Sequence, residues 1–201
     1  MIEIYIYDMK KLGDKKEYEY RLSQASEYRR KKAQSGRNIE NIASAAVLDE
    51  AFSAHGFREK DAEFIYGQYG KPYIRENSIY FNLSHSGEYA VCAVSDREVG
   101  IDIQKKGVLK MKVAKRFFTE NECNYILGES DGEKAADRFY RLWALKESFV
   151  KAVGMGMNLP LGSFEIIPEK KARVIHTFNE KKYEFAEKDI DDYKLAVCTE
   201  C

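Results

Sequence analysis

A break at Lys146-Glu147 interrupts the apolar pattern of the segment 139–151, which reads FYRLWALKESFVK. Its apolar residues recur every three or four positions, so the segment is predicted to form an amphipathic helix with a broad apolar stripe. Glu147 and Lys151 lie four residues apart and therefore share one face of that helix, where they offer a negative and a positive group to a ligand. Taken alone, the two are more simply an exposed ion pair worth roughly 0.2–0.5 kcal/mol.

A third charged residue, Asp102, interrupts the apolar run VGIDIQ at positions 99–104. This run predicts a short strand. A strand that buries Ile101 and Ile103 places Asp102 on its opposite face, because successive side chains alternate across a strand. Asp102 is therefore a candidate to line the edge of a cleft.

Two connections add further polar groups. Gly70-Lys71-Pro72 predicts a turn in which proline fixes one backbone dihedral angle and glycine frees another, so that Lys71 is held on a rigid bend. Ser84-His85-Ser86-Gly87 lies on or next to a connection between two predicted strands. Polar side chains in such connections are free to face a ligand.

Other charged groups have ready structural explanations. Glu122 follows Thr119 by three residues, which is the capping-box pattern at the start of a helical turn. The basic run 29–32 (RRKK) falls in the densely charged segment 15–36, where a solvated helix face is a simpler explanation than an anion site.

Composition bounds the possible classes of protein. The chain has 201 residues, 44% of them hydrophobic and 33% charged, which predicts a globular protein with one sizeable core or two small ones. Thirty-three basic residues balance 33 acidic ones, so we expect neither a nucleic-acid nor a membrane partner. The four cysteines lack the companion ligands of a zinc site and are expected to be reduced thiols. No signal-peptide or transmembrane pattern occurs, which predicts a cytoplasmic location.

The hydrophobic pattern predicts the remaining elements. Helices are expected at 42–52, 112–128 and 139–151, a charged loop at 130–134, a helix end at 154–156, and strands at 2–7, 78–83, 89–95, 99–104, 164–167, 172–178, 182–187 and 193–199.

A weak internal repeat organises these elements. The sequence AVCA at 90–93 resembles AVCT at 196–199, and an isoleucine-rich strand opens each half of the chain. The repeat predicts an α+β fold of two pseudo-symmetric halves, residues 1–98 and 99–201, which pack together with the ligand site in the cleft between them.

Four motifs follow one another along the chain: GKP at 70–72, FNLSHS at 81–86, VGIDI at 99–103 and WALKESFVK at 143–151. In order and spacing they resemble the motifs of the 4′-phosphopantetheinyl transferases, in particular the type of roughly two hundred residues that activates nonribosomal peptide and polyketide synthases. The similarity continues through RFF at 116–118 and LPL at 159–161 and is poor before residue 60.

The resemblance implies an activity. Members of this family transfer the phosphopantetheine arm of coenzyme A to a serine of an apo acyl or peptidyl carrier protein, with Mg²⁺ on the pyrophosphate, and release adenosine 3′,5′-bisphosphate. It thus implies coenzyme A and a carrier protein as substrates, in fatty acid, nonribosomal peptide or polyketide biosynthesis. We expect a monomer.

The resemblance also implies a role for each matching residue. Asp102 and Glu147 match metal-binding carboxylates. A third acid of the family is replaced here by Gln104, whose neutral oxygen is a poorer ligand, so that either a water replaces it or the metal binds less tightly. The residues implied in catalysis are Glu147, Lys151 and Glu122. Those implied in coenzyme A binding are Lys71, Ser84, His85, Lys146, Arg29 and Lys32, and the register at Arg29 and Lys32 is ambiguous by several residues.

Two other functions are compatible with parts of this pattern. A noncatalytic module that binds coenzyme A or a nucleotide would keep Lys71 and His85 but would not require paired carboxylates. A magnesium-dependent phosphodiester hydrolase would use the same metal site, although the sequence offers no further cluster for a second metal.

Overall fold

The same order of elements occurs twice along the chain. The computed structural model describes residues 1–34, 38–75 and 79–201. In each half a strand is followed by three helices, a short pair of strands and two long strands. The first half contains β1 (Ile2–Asp8), α1 (Lys15–Gln24), α2 (Glu27–Gln34), α3 (Asn38–Ala54), β2 (Phe64–Tyr66), β3 (Pro72–Ile74), β4 (Tyr80–Ser86) and β5 (Tyr89–Ser95). The second half contains β6 (Val99–Lys105), α4 (Met111–Phe117), α5 (Glu120–Leu127), α6 (Gly132–Val153), β7 (Glu165–Ile167), β8 (Arg173–Ile175), β9 (Tyr183–Ile190) and β10 (Tyr193–Glu200).

Each half contributes one three-stranded antiparallel sheet besides its short strand pair, and the two three-stranded sheets have the same topology. In the first, β1 and β4 flank β5, and in the second, β6 and β9 flank β10. The first strand of each half thus lies at a sheet edge and the last lies in the middle. This confirms the predicted α+β fold of two pseudo-symmetric halves. We propose the division 1–98 and 99–201, whose boundary falls in the turn between β5 and β6.

A shared apolar core lies between the two sheets. On β5, Val91 and Ala93 face this shared core, whereas Cys92 faces the core of the first half, which includes α3. On β10, Leu195 faces the shared core, whereas Cys198 faces the core of the second half, which includes α6. Both central strands are therefore buried on both faces, which explains the small apolar residues at their centres, AVCA at 90–93 and AVC at 196–198.

The helix α6 is longer than its apolar stripe. It begins at Gly132, because the Asp131 carboxylate accepts hydrogen bonds from the backbone N–H groups of Glu133 (2.8 Å) and Lys134 (3.2 Å). The loop predicted for 130–134 is wrong from Gly132 onward, because the polar first turn shows no apolar periodicity. The predicted helix end is confirmed at Gly154, which has a left-handed φ of 78°.

The helix predicted at 112–128 is two helices. α4 ends at Phe117, and Thr119 starts α5 as its N-cap. The Thr119 hydroxyl accepts a hydrogen bond from the Glu122 N–H (3.3 Å), and the Glu122 carboxylate accepts one from the Thr119 N–H (2.8 Å). The capping box is thus confirmed, and it marks the break that the prediction of one helix missed.

Several strand boundaries also differ from the prediction. β4 continues to Ser86, so Ser84 and His85 lie in the strand, and the turn to β5 is Gly87-Glu88, with a φ of 56° at Gly87. Ser78, predicted to start this strand, lies outside the described residues. The strand predicted at 172–178 is reduced to β8, and the one predicted at 182–187 extends to Ile190 in β9. The helix predicted at 42–52 lies within α3.

No helix in the described part of the chain combines the length and the apolar character needed to cross a membrane.

Candidate active site between the two halves

A buried carboxylate, Asp102, lies where the two halves meet. It is 2% exposed and points from β6 toward α6. One carboxylate oxygen accepts hydrogen bonds from the Ser84 hydroxyl (2.8 Å) and the Lys151 amine (2.6 Å), and the other accepts one from the Gln104 amide (2.8 Å). The predicted strand alternation is confirmed, because Ile101 and Ile103 face the shared core.

Lys151 is the cationic partner of Asp102. Besides that carboxylate, its amine donates to the Ser84 hydroxyl (3.0 Å) and to the Ile101 carbonyl (3.0 Å). About a quarter of its side chain (26%) remains exposed, so the charge lies at the edge of the cleft rather than deep in the core. The pair predicted from sequence spacing, Glu147 with Lys151, is therefore not the pair that forms: Lys151 binds Asp102 across the fold.

Glu147 has no such partner. Within the described residues its half-buried carboxylate makes neither a hydrogen bond nor an ion pair. Burial raises the pKa of Glu147, the nearby Asp102 carboxylate raises it further, and the Lys151 charge partly offsets both effects. An acidic side chain is thus held beside a second one without a cation of its own.

These residues fit a hard divalent cation such as Mg²⁺. Carboxylate and amide oxygens are its preferred protein ligands, and Asp102, Glu147 and Gln104 present them on facing elements. No cluster of three or more His, Cys, Asp or Glu side chains that could hold a metal occurs in the described residues. Mg²⁺ does not need one, because it commonly takes one or two carboxylates and completes its shell with water and substrate phosphates.

Gly100 allows α6 to lie directly on β6. A Cβ atom at this position would overlap the backbone of Ser148, Lys151 and Ala152. A residue without a side chain therefore permits the close approach that brings the acidic face of α6 to Asp102.

Lys71 binds the protein itself. It is 7% exposed, and its amine donates to the Glu98 carboxylate (2.6 Å) and to the backbone carbonyls of Val99 (3.0 Å) and Ala152 (3.0 Å). Burial lowers the pKa of Lys71, and the Glu98 charge opposes that shift. The lysine links the first half to the C-terminal end of α6, and its predicted contact with coenzyme A stays a prediction.

Glu122 and Lys146 bind each other instead of facing the cleft. Both side chains are 0% exposed, and the Lys146 amine donates to both Glu122 carboxylate oxygens (2.6 and 2.8 Å) and to the Phe164 carbonyl (3.0 Å). Glu122 also accepts a hydrogen bond from the Ile166 N–H (2.7 Å). The pair ties α5 and α6 to the start of β7, and the predicted roles in catalysis and coenzyme A binding stay predictions.

The remaining predicted ligands lie in the first half. His85 on β4 is exposed, with its Nδ1 atom 4.0 Å from the Glu40 carboxylate. Arg29 lies 3.8 Å from the Glu59 carboxylate and lines a cleft of about 370 Å³ together with Gly70, Pro72 and several apolar side chains. The Lys32 amine lies over the Tyr28 ring, 5.8 Å from its centre.

Asn82 was not singled out from the sequence. It is 8% exposed, and its side-chain oxygen accepts a hydrogen bond from the buried Ile101 N–H (3.0 Å). The available signal was its position two residues before Ser84, on the same face of a strand that borders the site.

Comparison with known proteins places the chain in a family. Residues 98–198 match the family model of the 4′-phosphopantetheinyl transferase superfamily. A 4′-phosphopantetheinyl transferase of Bacillus subtilis is 35% identical over 161 residues, which cover 78% of this chain and 71% of that relative. This chain belongs to the 4′-phosphopantetheinyl transferase superfamily. The family expected from the four motifs is thus confirmed, and the matched residues include Asp102, Glu147 and Lys151.

Other superfamily members are matched over less of their length. The 4′-phosphopantetheinyl transferase Sfp of Bacillus subtilis (strain 168) is 37% identical over 149 residues, or 70% of this chain and 64% of the relative. The 4′-phosphopantetheinyl transferase gsp of Aneurinibacillus migulanus is 40% identical over 115 residues, or 57% of this chain and 48% of the relative. The chain thus spans about half to two thirds of these two relatives. Among solved structures, a holo-(acyl-carrier-protein) synthase from Bacillus anthracis str. Ames matches 51% of this chain and 94% of its own, with a TM-score of 0.43 and 23% identity.

Proposed function

We propose that this superfamily member transfers the 4′-phosphopantetheine arm of coenzyme A to a serine hydroxyl of an apo acyl or peptidyl carrier protein. In this reaction the serine oxygen forms a bond to the phosphorus that carries the pantetheine arm. The bond from that phosphorus to adenosine 3′,5′-bisphosphate breaks, and the serine loses its proton. The arrangement that supports the proposal is the pair of neighbouring carboxylates, Asp102 and Glu147, beside the partly exposed amine of Lys151.

The proposed role of each residue follows from its charge and its hydrogen bonds. Asp102 and Glu147, with the Gln104 oxygen, would hold Mg²⁺, and the bound ion would neutralise the pyrophosphate of coenzyme A. Lys151 provides a positive charge at the edge of the same cleft, where it stabilises negative charge that develops on the leaving phosphate. Ser84 orients both Asp102 and Lys151, because it donates to the first and accepts from the second.

Glu147 is also the group proposed to receive the serine proton, because within the described residues its carboxylate makes neither a hydrogen bond nor an ion pair. Lys71, His85, Arg29 and Lys32 are proposed contacts of the coenzyme A phosphates.

The proposal includes the cellular setting. The carrier protein would belong to a fatty acid, nonribosomal peptide or polyketide pathway, and the protein would act in the cytoplasm as a monomer.

Mass spectrometry tests the function directly. An apo carrier protein incubated with coenzyme A, Mg²⁺ and this protein should gain the mass of phosphopantetheine. A carrier whose acceptor serine is replaced by alanine is the matched control and should gain nothing. Cleavage of coenzyme A without a gain of mass would instead favour the phosphodiester hydrolase, and binding of coenzyme A without any cleavage would favour the noncatalytic module.

A further inference from the structure

Two edge strands from different sheets lie side by side at the candidate site. β4 is an edge of the first sheet and β6 an edge of the second, and the two strands are in contact along their length. No backbone-to-backbone hydrogen bond joins these two fully described strands. The outward edge of β6 is instead satisfied by side chains.

Three side chains of β4 accept the outward N–H groups of β6. The pairs are Asn82 with Ile101 (3.0 Å), Ser84 with Ile103 (3.4 Å) and Ser86 with Lys105 (3.0 Å). Each step of two residues on β4 matches a step of two residues on β6, so the strands run parallel in one constant register. We refer to these three hydrogen bonds as the side-chain ladder.

Two lysines donate hydrogen bonds to carbonyl groups on the same edge of β6. The outward carbonyl of Val99 accepts from Lys71, and that of Ile101 accepts from Lys151, each at 3.0 Å. Both lysines also contact carboxylates, Glu98 and Asp102 respectively. The backbone groups on the outward edge of β6 are therefore hydrogen-bonded to side chains from β4, from the GKP turn and from α6.

The ladder matters for the site because Asp102 lies between its first two rungs. Ile101 and Ile103 are both 0% exposed, so their N–H groups have no water to replace a lost acceptor. A shift of β6 by one residue would turn Asp102 away from Ser84, Lys151 and Glu147, because side chains alternate along a strand. Because the N–H of Ile101 can only donate a hydrogen bond, the Asn82 amide must turn its oxygen, not its nitrogen, toward β6.

We propose that Asn82 is a positioning residue: its side-chain oxygen holds β6 in register with β4 and thereby places Asp102 for metal binding. The inference rests on the proposed function for its effect on turnover. Asn82 acts through Asp102 and needs no contact with either substrate.

A matched pair of variants tests it. Asn82→Leu has a similar branched shape but no acceptor, whereas Asn82→Asp keeps an acceptor at the same place. With Mn²⁺ as the probe in the presence of coenzyme A, Asn82→Leu should bind the ion at least about 10-fold more weakly than wild type, the usual scale for residues that orient metal ligands. Asn82→Asp should stay within about threefold of wild type. Turnover and half-saturating Mg²⁺ should change in the same order, with KM for coenzyme A much less affected.

Two further measurements make the outcome decisive. The amide proton resonance of Ile101 should move upfield in Asn82→Leu and stay near its wild-type position in Asn82→Asp, because only the latter keeps the hydrogen bond. Ser86→Ala is a control at the exposed end of the ladder, where water can replace the lost acceptor, and should retain at least half of the wild-type rate. If Asn82→Leu does not fold, Asn82→Ala takes its place.

The results separate the two proposals. Wild-type Mn²⁺ affinity and an unmoved Ile101 resonance in the variant without an acceptor would overturn the positioning role. A wild-type protein that modifies no carrier would contradict the proposed function, and the Mn²⁺ and Ile101 measurements would still decide the role of Asn82.

Discussion

The carboxylate of Asp102 is held by charge and hydrogen bonds from three different elements. Ser84 comes from β4, Lys151 from α6 and Gln104 from β6 itself. A buried charge is costly unless it is paired, so this residue and Lys151 depend on each other. A substitution at either residue should therefore change both the stability of the fold and the proposed activity.

Replacement of Lys151 by Met should separate these two effects. Lys151→Met keeps most of the aliphatic stem but leaves Asp102 without its cation, so we expect a loss of about 2–3 kcal/mol of unfolding free energy and at least about 100-fold in turnover. The double variant Asp102→Asn/Lys151→Met should recover most of the stability and none of the turnover. Thermal melts and the carrier mass assay measure both. Near-normal turnover in Lys151→Met would exclude a catalytic role for its charge.

Gln104→Glu should exchange stability of the metal-free protein for metal affinity. The substitution removes the amide that donates to Asp102 and adds a second negative charge at that point. In EDTA we expect a lower melting temperature than wild type, whereas the Mg²⁺ concentration for half-maximal rate should fall on the order of 3- to 10-fold. Gln104→Met, which has neither charge nor amide, is the control for loss of the donor alone. An unchanged Mg²⁺ requirement would mean that position 104 does not contact the ion.

The sequence pointed to most of the residues that the structure brings together at the candidate site, but not to their pairing. The spacing of Glu147 and Lys151 predicts a shared helix face, and the alternation around Asp102 predicts its direction. The ion pair of Lys151 with Asp102 joins residues that are far apart in the chain, so no local pattern encodes it. Residues that resemble family ligands, such as Lys71 and Lys146, turn out to be buried against protein acceptors, which depends on packing that the sequence does not display.

At the scale of elements, α6 carries the site and is fixed on two sides. Gly100 lets it lie against β6, and the buried Glu122–Lys146 pair ties it to α5 and to the start of β7. The position of Glu147 therefore depends on contacts made by its neighbours in the helix, Lys146 and Ser148, rather than by its own side chain.

The buried pair should respond strongly to the loss of one partner. Lys146→Met leaves Glu122 charged and buried, so we expect a loss of about 3–5 kcal/mol of unfolding free energy. Lys146→Met combined with Glu122→Gln should recover most of that loss, because no unpaired charge remains. Lys31→Met removes the partner of Glu27 in an ion pair whose two side chains are each 72% exposed, and should leave the stability close to that of wild type. Urea unfolding measures all three, and a Lys146→Met variant as stable as the Lys31 control would contradict the structural role.

The contact at Gly100 should tolerate no side chain. Gly100→Ala forces α6 away from β6, and we expect a loss of about 3 kcal/mol or more together with most of the turnover. Gly13→Ala is the control, because a Cβ atom there meets nothing within 4 Å and the φ angle is not left-handed. Equal melting temperatures for the two variants would show that α6 can move without cost.

Apolar periodicity predicted the types of the secondary-structure elements well and their boundaries less well. The polar first turn of α6 and the break before Thr119 depend on caps, which act through single side chains rather than through a repeated pattern. β4 extends through Ser84 and Ser86 because these residues continue the backbone pairing with β5, and their hydroxyls also accept hydrogen bonds from β6. A turn-like sequence such as SHSG conceals this tertiary effect.

At the scale of the whole molecule, the two halves are bound by apolar packing and by the closed edge of β6. The repeated order of elements was visible as a short sequence repeat. Which face of each central strand meets the other sheet was not visible, because both strands carry apolar residues on both faces. Without the other sheet, the inner apolar face of either three-stranded sheet would be exposed to solvent.

The intact protein should therefore unfold in one step. We expect a single calorimetric transition whose enthalpy agrees with the van 't Hoff value, because separation of the halves exposes the shared core. A fragment of residues 99–201 expressed alone should bind a dye for exposed apolar surface, which the intact chain should not do. Two resolved transitions would contradict this expectation.

The strand order also sets when each sheet can close during protein synthesis. Each half is completed by its central strand, so the first sheet can form once β5 has emerged at Ser95, whereas the second must wait for β10 at Glu200. The interval spans 105 residues (200 − 95), which corresponds to roughly 5–20 s at typical translation rates. Throughout that time the inner face of the first sheet has no partner sheet, and the nascent chain presents an apolar surface of the kind that chaperones bind.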